Sequence, residues 1–250
     1  MKEIRILYLY PDMLELYGDY GNLQVLKYRM EKRGIQVKID RYSIGDAKPD
    51  FLSYDLIFAG GGADNEQSIL AKDLIQYKED IKEAINQNVF FLLICGAYQL
   101  FGKYYKGVEG NIIPGLEIFD YYTEASADRT RRCIGNIVIE ATINGKQTKV
   151  IGFENHGGQT HGITHPFGKV LFGNGNQFGD TEEGFFLPNV IATYLHGPLL
   201  AKNPEISDYI ISTCLTRKYQ EEIQLTKLDD ELEEKCRQQL LTRFESVGKQ

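Results

Sequence analysis

Six consecutive large apolar residues, 89–94, stop abruptly at Cys95-Gly96-Ala97, and a run of that kind has few places to go in a fold. Apolar on both faces, it reads as a strand at the centre of a parallel sheet covered by helices. Residues 98–105 follow at once with helical character. A buried strand, a sharp turn carrying a cysteine and a helix make the layout of a nucleophile elbow. Small residues at 96 and 97 let the backbone turn tightly there. A cysteine beside a helix N-terminus and an imidazolium also ionises more readily.

The rest of the first hundred residues fits that strand. Residues 4–10 read as a strand and 21–33 as a helix with Leu23, Val25, Leu26 and Met30 inward, ended by Gly34. Residues 35–39 and 55–59 are strand-like, the second closing in Gly60-Gly61-Gly62. Residues 66–86 carry helical spacing at Ile69, Leu70, Leu74, Ile81 and Ile85. This alternation predicts an α/β fold with a mostly parallel central sheet and functional residues at the strands' carboxyl ends. The second half is richer in β-structure. Two strand-like runs within 134–151 flank Asn144-Gly145, a strong hairpin signal. Short strands follow at 169–172 and 190–194, then a helix over 204–217. Residues 229–244 read as a surface helix or a frayed tail. No repeat or composition break divides the chain, so one domain over 1–250 is expected, with a C-terminal helix or tail from about 228.

Charge and cysteine usage narrow the setting. A formal charge of −7 argues against generic nucleic-acid binding and against docking on anionic lipid. Cys95, Cys133, Cys214 and Cys236 lie far apart without CxxC pairs, as expected of reduced thiols in a cytoplasm. No signal-peptide core and no membrane-length apolar stretch is present, so a cytoplasmic protein is expected. No metal site is read from the sequence.

Several residues converge on the strand ends. Gly60-Gly61-Gly62 can bring backbone N–H groups close to an oxyanion, or be an ordinary glycine turn. His196 follows the strand at 190–194, and a cysteine with a histidine is the minimal nucleophile–base unit of covalent acyl transfer. His161 and His165 sit in a polar loop and read as surface residues. His156, in Phe153-Glu154-Asn155-His156-Gly157-Gly158, either shapes a pocket or is structural. Arg129, Arg131 and Arg132 precede Ile134-Gly135; such a cluster is a solvated patch unless one guanidinium forks onto a carboxylate. Gln99, one turn beyond Cys95, is placed to hydrogen-bond a polar substrate.

Cys95-Gly96-Ala97-Tyr98-Gln99 with Tyr194-Leu195-His196-Gly197-Pro198 resembles class I (triad-type) glutamine amidotransferase domains, nearest to the cobyric acid synthase-like group. Residues 60–67, 153–158 and Gly173-Asn174-Gly175-Asn176 narrow the similarity to glutaminase subunits of lipid II isoglutaminyl synthases, over almost the whole chain. The resemblance implies that Cys95 attacks the side-chain amide of L-glutamine to give a γ-glutamyl thioester and ammonia, with His196 as general base and acid. It further implies an oxyanion hole from the amides after Gly61 and Cys95, those of Gly62 and Gly96, and a glutamine contact from Gln99. Arg132 is the implied α-carboxylate ligand and Arg129 the alternative, because the neighbouring arginines blur the register. The implied partner is a Mur-ligase-like subunit, in a heterodimer, that binds ATP, magnesium and lipid II. It amidates the α-carboxyl of D-glutamate in the peptidoglycan stem peptide. The absence of a GxxxxGK[ST] loop agrees with ATP chemistry lying outside this chain, for which no cofactor is expected.

One departure stands out. Triad-type domains commonly carry an acid two residues after the histidine, whereas here the sequence is His196-Gly197-Pro198. Proline has no side-chain acceptor for the imidazole N–H. The orienting acid must come from elsewhere in the chain or from the partner, and the partner is the expected source. Two other readings remain: a glutaminase for cobyrinate-type amidation, and an inactive scaffold subunit.

Overall fold

The computed structural model describes residues 2–247. β1 (Glu3–Leu9), α1 (Tyr20–Glu31), β2 (Gln36–Tyr42), β3 (Leu56–Ala59), α2 (Asp64–Leu74), α3 (Lys78–Asn86), β4 (Phe90–Ile94) and α4 (Gly96–Phe101) form the first half. Next come β5 (Tyr104–Lys106), β6 (Ile112–Pro114), β7 (Tyr122–Ala125), β8 (Cys133–Ile143), β9 (Lys146–His156) and β10 (Gly158–His161). β11 (Gly168–Phe172), β12 (Glu182–Glu183), β13 (Phe185–Leu187), β14 (Val190–Thr193), α5 (Pro204–Tyr219) and α6 (Glu231–Val247) complete it.

The largest sheet has the order β13-β14-β4-β3-β1-β2. Its five strands from β14 to β2 are parallel, and β13 is an antiparallel edge. Every residue of β3, β4 and β14 is buried, which is why their sequences lack a polar face. From β1 the chain moves to β2 on one side, while β3 leads to β4 on the other. The connections therefore diverge above the carboxyl ends of β1 and β3, where such sheets open a crevice for ligands. Two four-stranded sheets, β10-β7-β5-β6 and β12-β11-β8-β9, account for the β-rich second half.

Asn144 and Gly145 sit at φ 50° and 73°, the two left-handed residues that a tight hairpin demands. From that turn β8 and β9 pair in continuous register out to Cys133 opposite His156. Residues 153–156 are thus the end of β9. Three helix expectations also change. Residues 66–86 break into α2, a 3-10 turn over Ile75–Tyr77 and α3, and Ile69 faces solvent. The helix expected over 98–105 stops at Phe101, and Tyr104–Lys106 joins a sheet instead. Gly102 ends it against Tyr121: a Cβ there would sit 2.6 Å from the tyrosine ring. The C-terminal segment is a docked helix, not a frayed tail. Leu241 and Phe244 pack on Val138 and Ile151, and buried Arg237 donates to Glu205 and to the Lys149 carbonyl. The last three residues of that expectation, 248–250, lie outside the described residues. No described helix is long and apolar enough to cross a membrane.

Candidate active site

Cys95 occupies the turn between β4 and α4 at φ 51°, ψ −100°, a conformation that side-chain-bearing residues rarely adopt. Its backbone N–H donates to the Thr193 carbonyl at 2.8 Å, so β14 holds the elbow in place. Gly96 has no room for a side chain: a Cβ would lie 2.9 Å from the Gly62 nitrogen and 3.0 Å from Gln67 Nε2. The backbones of the β3 and β4 turns therefore meet beside the nucleophile, bringing the amides of Gly62 and Gly96 together.

His196 follows β14 and is fixed by a two-way backbone pairing with Phe153, at 2.8 and 3.1 Å. The side chain is fully buried. Its Nδ1 lies 2.9 and 3.1 Å from the two carboxylate oxygens of Asp19, and its Nε2 makes no hydrogen bond within the described residues. The Gly61 N–H donates to Asp19 Oδ2 at 2.9 Å. Burial works against the imidazolium, but the Cys95 thiolate and Asp19 outweigh it and push the ring up to about 10. A carboxylate on Nδ1 fixes the tautomer and leaves Nε2 for the proton transfers at sulfur.

Asp19 corrects the expectation that a partner supplies the orienting acid. It stands 177 positions before His196. It holds the N-cap position of α1. Yet its side chain makes no cap hydrogen bond, because the carboxylate turns to the imidazole instead. Tyr17 and Gly18, at φ 56° and 74°, bend the loop that delivers it. No local pattern announces that use.

Gly61 is where the three side chains meet. A Cβ there would lie 2.9 Å from His196 Cε1, 3.3 Å from Asp19 Oδ2 and 3.4 Å from Cys95 Cβ. Gly61→Ala is expected to push the imidazole aside in a protein that still folds. A displacement of about an ångström costs on the order of a hundredfold in rate. Steady-state assays of glutamine hydrolysis, the activity the resemblance implies, check this with circular dichroism as the folding control; an unchanged kcat would contradict the packing.

The surrounding walls are polar. Gln67 Nε2 donates to Gly62 O and to Gln99 Oε1, both at 3.0 Å, and Gln99 Nε2 donates to the Tyr194 hydroxyl at 3.2 Å. Gln99 is thus held at both ends in the wall of the site, and Gln67 is a member that sequence reasoning missed. Arg132 donates to Asn155 Oδ1 at 3.0 Å, and Asn155 Nδ2 donates to the Tyr17 hydroxyl at 2.7 Å. The Tyr17 ring meets His196 edge-on with centroids 4.9 Å apart. This chain ties Arg132 to the rim. Arg129 opens an exposed 3-10 turn, and among the described residues its side chain makes no hydrogen bond to the rim. His165 is exposed and His161 stacks on Tyr122, both away from Cys95.

The chain matches the CobB/CobQ-like glutamine amidotransferase domain over residues 5–204. It is 40% identical to the lipid II isoglutaminyl synthase (glutamine-hydrolyzing) subunit GatD of Staphylococcus aureus (strain N315), across 97% of both chains. The subunit of the same name from Streptococcus pneumoniae (strain ATCC BAA-255 / R6) is 39% identical, over 91% of this chain and 86% of that protein. A probable cobyric acid synthase of Methanocaldococcus jannaschii is 28% identical over 81% of this chain but only 45% of its own length. In fold, a chain of PurLQS from Thermotoga maritima superposes with a TM-score of 0.55 at 16% identity, over 88% of this chain and all of that one. A cysteine on a strand-to-helix elbow, facing a carboxylate-held histidine on the parallel sheet of such a fold, fits this match, and the chain belongs to the CobB/CobQ-like glutamine amidotransferase family.

Proposed function

We propose that this chain is the glutamine-hydrolysing subunit of a lipid II isoglutaminyl synthase. The observation that carries the chemistry is the arrangement of Cys95, His196 and Asp19 around Gly61. The Cys95 thiolate attacks the carboxamide carbon of L-glutamine, and the amides of Gly62 and Gly96 receive the developing oxyanion. The His196 imidazolium gives its Nε2 proton to the departing nitrogen, which leaves as ammonia from a γ-glutamyl thioester. The neutral imidazole then takes a proton from water, whose oxygen displaces the thiolate and releases glutamate. Asp19 stays ionised and holds the ring.

Glutamine hydrolysis by this route needs no cofactor in the chain. ATP and magnesium serve the ligase step in a Mur-ligase-like partner. That subunit activates the α-carboxyl of D-glutamate in lipid II, and ammonia from Cys95 converts it to D-isoglutamine. The test is reconstitution of this chain with the Mur-ligase-like subunit, glutamine, ATP and lipid II. Glutamine-dependent amidation of the stem peptide is expected; glutamine hydrolysis without amidation of lipid II would redirect the reading to another acceptor.

Arg132 is the proposed α-carboxylate ligand. That contact is present in both ground and transition states, so Arg132→Ala is expected to raise KM far more than it lowers kcat. Loss of a charge-assisted pair corresponds to about tenfold or more in kcat/KM. Arg129→Ala, assayed in parallel, is expected to be near wild type; the reverse pattern would reassign the role.

A further inference from the structure

Away from the sulfur of Cys95, a second cluster of ligating side chains lies where β8 and β9 begin to diverge. Cys133 and His156 are direct cross-strand partners, and Glu154, two residues before His156, shares its face. The three are buried, and one donor atom from each lies within 4.8 Å of the others. No spacing in the sequence marks them as a set, because only the hairpin register unites them.

The hydrogen bonds around the cluster leave a defined gap. His156 Nδ1 lies 2.7 Å from the Gly158 carbonyl, which can only accept, so Nδ1 carries the proton and Nε2 a lone pair. That Nε2 is buried without a hydrogen-bond partner among the described residues, 4.0 Å from Glu154 Oε2. Glu154 Oε1 accepts from the backbone and side-chain nitrogens of Asn174, while among the described residues Oε2 accepts only from the Gly175 N–H. One lone pair of Oε2 is therefore left beside the unpartnered imidazole nitrogen, with the Cys133 thiol completing the triangle. Burial pushes Cys133 up to about 12, raises Glu154 and lowers His156 to about 3.

We propose that Cys133, Glu154 and His156 bind a structural divalent transition-metal ion of the zinc type. A thiolate, a carboxylate and a neutral imidazole carry two negative charges between them, so a divalent ion makes the buried site neutral. Sulfur and imidazole together select zinc over the oxygen-seeking magnesium or calcium. The Nδ1–H to carbonyl bond is the outer-shell contact that fixes a metal-binding imidazole. Bond lengths of about 2.0 Å to nitrogen and oxygen and about 2.3 Å to sulfur require the three atoms to close by about an ångström. A fourth position remains for water. Such an ion ties the ends of β8 and β9 to the Asn174–Gly175 turn. It also fixes His156, whose ring stacks on Tyr194 at 3.6 Å, and Tyr194 accepts from Gln99 in the wall of the active site.

The test uses the full chain, purified without a metal-affinity tag, given zinc sulfate, gel-filtered and analysed by plasma mass spectrometry. About one zinc per chain is expected, with a higher Tm than after chelation, and a fall of about tenfold in bound zinc in Cys133→Ser and in His156→Ala. Cys236→Ser, which removes the exposed thiol, is expected to retain the ion. A second measurement keeps the test decisive if either ligand variant fails to fold. Cobalt added to the Cys95→Ser/Cys236→Ser chain is expected to show a thiolate-to-cobalt charge-transfer band at one equivalent. Absence of that band, or of zinc in the wild-type chain, overturns the proposal, as does zinc content unchanged by the Cys133 and His156 substitutions.

Discussion

Cys95→Ala is expected to abolish glutamine hydrolysis, with a fall in kcat on the order of 10⁵-fold or more, while the chain still folds. The large effect follows from the loss of the attacking atom: an oxyanion hole and a bound substrate remain, but no covalent step can begin. The fold should tolerate the change, because alanine removes one sulfur and keeps a Cβ at a residue whose φ of 51° is imposed by the turn. On the proposed function, ammonium salt is expected to bypass the defect in the assembled synthase, since the proposed ligase step consumes free ammonia. Two assays check this: glutamate release, and amidation with ammonium in place of glutamine. Residual glutamine hydrolysis near the wild-type rate would remove Cys95 from the mechanism. Lost amidation with ammonium would show that the variant damages assembly instead.

Asp19→Asn is expected to lower kcat by about 10²- to 10⁴-fold with a much smaller change in KM. Asparagine keeps the volume but can turn an N–H toward Nδ1, which then accepts and leaves the ring proton on Nε2. That tautomer cannot take the thiol proton. The amide oxygen that remains can still accept from the Gly61 N–H, so the β3 turn keeps its anchor and the NH2 group is the end left to face the imidazole. Asparagine is a cleaner probe than alanine, which would leave a fully buried imidazole unpaired. The effect should appear in the free chain as well as in the complex, because the acid lies in the same chain as the histidine. A wild-type rate for the Asp19→Asn chain, together with strong stimulation by the partner, would return the orienting role to a carboxylate in trans.

The parts of this protein legible in its sequence are those written in local pattern. The unbroken apolar run of β4 ending in Cys95-Gly96, the Asn144-Gly145 turn and the strand leading to His196 each announce themselves within about ten residues. These signals come from backbone geometry and from burial on one or both faces of a strand, and both repeat at short range. Boundaries were less legible where tertiary packing overrode propensity. Tyr104 and Tyr105 left a helix for a sheet once Gly102 had to fit against Tyr121.

What the tertiary structure alone decided is which side chains meet. Asp19 could have served as a cap on α1, and the sheet order instead sets the loop after β1 against the loop after β3 and turns the carboxylate onto His196. Gln67 reaches Gln99 because α2 and α4 pack together, and Cys133 faces His156 because an eleven-pair register ends there. Convergence of this kind depends on strand order, register and helix packing across separations of tens to hundreds of residues. Hydrophobic burial drives that assembly without direction or residue-specific pairing, so a one-dimensional pattern carries its strength but not its outcome.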